Sequence, residues 1–191
     1  MQDPITLAVD KTEELLGHSP HPAIVMVPLG AWTVSNICDG FALATGEESF
    51  DDAARISMGI GLIGAVGAAI TGLRDYSHIP KERPSHQVAT THGLGNALAT
   101  SLMTASYIMR VHDHDKGRRP SIASRLLALS GGGLSMYTAW LGGKLVEEMG
   151  EGVKPVQDRM MRQEQGLAVD GDHGLGRERL DPGAPLGVHH A

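Results

Sequence analysis

The chain has 191 residues and a formal net charge of −6, which excludes the basic surface that a nucleic-acid partner requires. Aromatic residues make up only 4%, too few for a large soluble core built on Phe, Tyr and Trp, whereas 25 glycines suit helices that approach closely in lipid. The lone Cys38 excludes a disulfide framework and a thiolate metal centre.

In chain order, residues 1–20 are polar with a short amphipathic patch, Leu7, Val9, Leu15 and Leu16, which suits a surface or interfacial helix. Asp3, Asp10, Glu13 and Glu14 stand where a cleavable signal peptide would carry basic residues. Ser19-Pro20-His21-Pro22 then stops that helix, because each proline removes a donor and restricts its predecessor. Residues 23–45 form the first long apolar segment, with Asn36 and Asp39 its strongly polar members. An acidic turn follows. Residues 56–74 are rich in small side chains, with Gly64 and Ala68 in the small-xxx-small spacing that favours close contact in lipid. Residues 87–110 form the most polar of the four segments, and His92 and Asn96 share a face there at i, i+4. A charged loop from His112 to Pro120 leads to the segment 121–145, which contains Gly131-Gly132-Gly133 and ends near Trp140. Residues 150–191 are polar, with scattered Gly and Pro, and read as a disordered tail; His189-His190 carries no weight.

The pattern predicts an all-α, integral membrane, antiparallel four-helix bundle over 21–149. Each segment has about the 20 residues a bilayer crossing needs, and helices satisfy their own backbone groups in lipid. A soluble bundle would need a charged outer face, and 56–73 has no charge to place on one. Four spans put both termini on one side of a cell membrane. That side collects Lys11, Arg74, Lys81, Arg83, Lys144, Lys154, Arg159 and Arg162, and the other Arg55, Arg110, Lys116, Arg118, Arg119 and Arg125. The excess leans toward cytoplasmic termini.

The segments together resemble a family of four-helix bacterial membrane proteins classed as a domain of unknown function. The residues that carry the likeness lie within 18–155. They are His21-Pro22-Ala23-Ile24-Val25-Met26-Val27-Pro28 at the start of the first helix, Asp39, Gly72-Leu73-Arg74-Asp75-Tyr76 with Ile79-Pro80, His92 with Asn96, and Leu141-Gly142-Gly143 with Gly150-Glu151-Gly152-Val153. Members often carry a second histidine in the opening motif, where this chain has Met26. Some relatives are joined to a Rieske iron–sulfur domain, which implies a link to electron transfer. This chain has no Cys-His clusters to form such a domain itself.

Topology brings His21, Asp75, His78, His86 and His92 toward one end of the helices and Asp39 toward the other. Ionisable groups in a bilayer are costly, about 2.5–3.5 kcal/mol at mid-helix on insertion scales, so those present mark sites. His21 and His92 are candidates for a b-type haem or a metal, set against the plainer reading of helix-start and interhelical bonding groups. Asn36, Asp39, Asp75 and Asn96 are the polar intramembrane residues, and no catalytic residue or dedicated metal site is expected. Three functional classes are open. One is a non-catalytic scaffold or subunit of a membrane complex, redox or envelope, with a partner protein or a second copy. The second is an electron-transfer protein holding haem between His21 and His92. The third is a small proton-coupled transporter using Asp39, Asp75 and His92. No nucleophile elbow, phosphate loop, zinc-protease motif or dinucleotide fingerprint is present.

Overall fold

A computed structural model of the chain describes residues 4–164, and all secondary structure in them is helical. The helices are α1 (Pro4–Leu16), α2 (His21–Ile24), α3 (Met26–Thr45), α4 (Glu48–Ser77), α5 (Pro84–Asp115), α6 (Ile122–Glu147) and α7 (Lys154–Glu164). The chain divides into two units, residues 1–157 and 158–191; the described part of the second, residues 158–164, continues α7.

The long helices extend beyond the apolar segments. α4 begins at Glu48, inside what the sequence suggests is an acidic turn. The reason is electrostatic: Glu48 and Asp51 lie in its first turn, where the exposed amide ends favour negative charge. α5 runs on to Asp115, so His112 to Asp115 are helical and not loop. His86 likewise falls in the first turn of α5, after Pro84, whose missing N–H costs nothing at that position. α7 occupies the first part of the expected disordered tail; it has no glycine, and its proline falls in the first turn. The remainder of that tail, from residue 165, lies outside the described residues.

Between α3 and α4 only Gly46 and Glu47 intervene, and Gly46 adopts φ 76°, the left-handed conformation that ends helices. α3 packs on α4, α4 on α5, α5 on α6 and α6 on α3, which closes a ring of four long helices. Neighbours run in opposite senses. Val27 meets Gly64, Trp32 meets Gly61 and Ser35 bonds Ala54 O along α3 and α4. His92 meets Thr138 and Ser106 meets Ser124 along α5 and α6.

The burial pattern is that of a membrane protein turned against the soluble norm. Ile63 is 77% exposed, and Leu73 and Leu94 are each 69% exposed. Ser35, Ser106, Ser124 and Thr138 are buried, and the largest fully buried side chain among the described residues is Arg110. Large apolar side chains are thus exposed along all four long helices, from Val34 and Ile37 to Leu126 and Leu129. Midway along the ring the interior is apolar, with Trp32, Met58, Ala65, Met103 and Ala128 in contact. Polar side chains collect at the two ends.

Candidate functional site

At one end, two carboxylates from different helices hold three arginines. Asp39, one turn and a half from the end of α3, accepts from Arg110 Nη1 and Nη2 at 2.8 and 2.5 Å, a bidentate fork. The third guanidinium donor, Nε, reaches Ser106 Oγ at 3.1 Å. Arg125 of α6 donates to Asp39 Oδ1 at 2.7 Å and to Asp51 Oδ1 of α4 at 2.5 Å. Arg119, from the α5–α6 link, completes Asp51 at 2.8 Å and donates to the α3 terminal carbonyls of Ala42 and Gly46. The order Arg110–Asp39–Arg125–Asp51–Arg119 alternates in sign and ties four elements together. Asn36, also on this half of α3, donates to Ala128 O of α6 at 3.3 Å.

Sequence reasoning places Arg110 at a helix exit and counts Arg125 as a flanking charge. Both are buried in ion pairs, so neither is a free loop charge and neither belongs in the count that sets orientation. Their partners stand 71 and 86 residues away, beyond any local spacing rule. The one available signal is an intramembrane aspartate that needs a cation.

At the opposite end the innermost groups are uncharged, and the ion pairs of Arg74 lie beyond them. His21 Nδ1 meets Thr71 Oγ1 of α4 at 3.0 Å, and Thr71 in turn donates to Gly67 O. His92 Nδ1 donates to Thr138 O at 2.8 Å, because a carbonyl only accepts; its Nε2 then accepts from Asn96 Nδ2 at 3.0 Å. Thr138 Oγ1 closes the circuit on Asn96 Oδ1 at 2.7 Å. The His21 and His92 rings stand edge to face with centroids 6.5 Å apart. Each ring lies on a glycine of the adjoining helix. A Cβ on Gly72 would come within 2.7 Å of His21 Cε1, and one on Gly142 within 3.1 Å of His92 Cε1. Gly72 and Gly142, each part of a motif that carries the family likeness, are therefore the seats of the two histidines.

Asp75 sits beyond this pair, toward the helix ends. It accepts from Ser19 Oγ at 2.5 Å and from Arg74 Nη1 at 3.3 Å. Arg74 also holds Asp10 at 2.8 Å and Glu13, which fastens α1 to α4. Ser19 Oγ gives its proton to the Asp75 carboxylate and is buried. At the same end the Gly150-Glu151-Gly152 turn, with φ of 69° and 76° at its glycines, delivers Glu151 to Ser85 Oγ in the first turn of α5 at 2.7 Å. The family-like glycine motif thus sets a carboxylate against the first turn of α5, on a serine 66 residues earlier in the chain.

The family described as "Predicted membrane protein (DUF2231)" matches residues 17–155, well over half of the chain. The chain belongs to this family. The matched region begins beside Ser19 and His21 and ends just after the Glu151 turn, so it takes in both polar ends. No curated protein matches the chain, and no solved structure does. Among the described residues, two helical stretches, His21–Thr45 and Glu48–Ser77, are long and apolar enough to cross a membrane. α5 and α6 fall outside that pair despite their length: α5 carries His92, Asn96 and a set of hydroxyl side chains, and α6 carries Arg125 and Ser135.

Both ring nitrogens of His92 are engaged in hydrogen bonds. Among the described residues no group of three or more His, Cys, Asp or Glu side chains is disposed to hold a metal ion.

Proposed function

We propose that the chain is a multi-pass, four-helix, inner-membrane protein that acts as a non-catalytic scaffold or subunit of a membrane complex. The observation that carries the four-span reading is a common spacing. His21 to Asp39 is 18 residues, Arg55 to Arg74 is 19, His92 to Arg110 is 18, and Arg125 to Lys144 is 19. At 1.5 Å per residue these are about 27–29 Å, close to the hydrocarbon thickness of about 30 Å. All four long helices share the interval, including the two whose composition alone is too polar to mark them. Exposed Tyr137 and Trp140, with Lys144 6.0 Å from the Trp140 ring, give one boundary an aromatic belt. Both termini of the helix ring then lie on one side.

The scaffold reading is supported by the state of the polar groups. At each end they are bonded largely to one another; the buried exceptions at the Asp39 end are Arg55 Nε and Arg125 Nε. The haem reading keeps one favourable observation, the 6.5 Å approach of His21 and His92, and is opposed by the occupied nitrogens of His92. The transporter reading meets the apolar layer of Trp32, Met58 and Met103, which separates Asp39 from Asp75 and His92.

The test is a reduced-minus-oxidised absorption spectrum of the protein extracted in mild detergent, followed by native electrophoresis of the same extract. A flat spectrum with migration in a larger assembly is the expected result. A Soret band that disappears in His92→Ala would overturn the scaffold reading in favour of electron transfer, with the side chains at this end rearranged around iron. Migration as a lone chain with a flat spectrum would remove the partner and with it the scaffold role.

A further inference from the structure

Pro4, Ala8 and Val9 of α1 face Pro20, Ile24 and Thr71 across a cavity of about 360 Å³. That volume lies within the range of small-molecule sites, about 300–1,000 Å³. Its position is set by the ion pairs of Arg74, which hold α1 beside the end of α4 and leave Val9 as the buried apolar contact of that helix.

The chemistry of the walls decides what fits. Two hydroxyls border the cavity, and both protons are spent: Thr12 Oγ1 donates to Ala8 O at 2.9 Å, and Thr71 Oγ1 to Gly67 O at 3.0 Å. Thr71 also accepts from His21. Among the described lining side chains, a ligand with carbonyl oxygens would find no free hydroxyl donor. A hydrocarbon chain loses nothing. Apolar side chains near its lining residues in the chain are exposed, Leu7 and Leu15 of α1 and Ile70 and Leu73 of α4. The cavity lies next to His21 and Arg74, at the end of the apolar interval and therefore at the depth where acyl chains begin.

We propose that this cavity takes one acyl chain of a bilayer phospholipid, which fills the gap between α1 and the α2–α4 junction and seats α1 at the membrane interface. The inference rests on the membrane reading and is independent of the scaffold role.

The test uses the full chain in vesicles of phosphatidylcholine and phosphatidylglycerol doped with a phosphatidylcholine that carries a diazirine on its acyl chain. After illumination, the labelled peptides are mapped by mass spectrometry. Label concentrated on residues 4–12 and 20–24, and reduced at least fivefold there in Ala8→Trp but not in Leu94→Trp, is the expected result. Label on the outer faces of α3 to α6 with none on those two peptides overturns the proposal and leaves the membrane reading standing. No label on any helix overturns both. If Ala8→Trp does not fold, the wild-type map decides alone: enrichment of the two peptides over Leu94 and its neighbours supports the site, and equal labelling overturns it.

Discussion

The two ends of the helix ring solve one problem, polar groups at the border of an apolar medium, by opposite means. At the Asp39 end the groups are formal charges, neutralised across four elements by bidentate and bridging arginines. At the His21 end the innermost groups are imidazole, amide and hydroxyl, bonded to neutral partners with the two rings seated on glycine, and the charges of Arg74 and its partners stay outside them, partly exposed. The two designs part company when one member is lost. Removing a partner from a buried ion pair leaves an uncompensated charge and costs about 3–5 kcal/mol. Removing a link from a neutral circuit costs about 1 kcal/mol, since the groups find other partners. The charged end therefore specifies the arrangement, and the neutral end tolerates adjustment.

The largest expected effect tests that contrast directly. Asp39→Asn strands Arg110 and weakens Arg125, and thermal unfolding in detergent should show a loss of about 3–5 kcal/mol or no folded protein at all. Asp39→Leu combined with Arg110→Met should recover much of that loss, because Arg125 keeps Asp51 and a buried pair is replaceable by apolar side chains. A double variant as unstable as the single one would show that the pair does more than cancel charge.

Next comes Gly72→Ala, which forces a methyl against the His21 ring and should cost about 1–3 kcal/mol by overpacking. Its readout, beside stability, is the accessibility of His21 to diethyl pyrocarbonate, expected to rise as the ring is displaced. Thr138→Val breaks the bond to Asn96 while keeping the volume, with an expected loss of about 1 kcal/mol; a loss equal to that of Asp39→Asn would erase the distinction between the two ends. The smallest effect belongs to Arg74→Ala. Its partners are partly exposed, so stability should fall by less than about 1 kcal/mol. α1 should nonetheless become a substrate for limited proteolysis, since its hold on α4 runs through that side chain.

The four long helices are legible in the sequence because apolar runs of the right length are a direct physical requirement of lipid. The pairing of His92 with Asn96 is legible too, because i, i+4 spacing is local. The hidden features have equally physical causes. Arg110 and Arg125 lie at segment ends beside a charged loop, where an arginine usually snorkels to water. Only the folded ring turns them inward to Asp39 and Asp51. The Glu151 turn is a further case: two glycines lie in a polar stretch, and the serine that Glu151 meets lies far upstream. The helix limits at Glu48 and Asp115 are hidden because acidic residues at a helix start, and a charged last turn, carry no apolar period.

The alternation of arginine and aspartate across the ring has a consequence for how the protein is made. Asp39 and Asp51 leave the ribosome with the first hairpin, α3 and α4, while Arg110 and Arg125 belong to the second. Until α5 and α6 arrive, the first hairpin carries two carboxylates with no counter-charge at the edge of the hydrocarbon. On the proposed arrangement, Asp39 and Asp51 meet the arginines that neutralise them only once Arg110, Arg119 and Arg125 have been made. A chain cut short after α4 is therefore expected to be recognised as incomplete and degraded, although its two helices are the most apolar in the molecule.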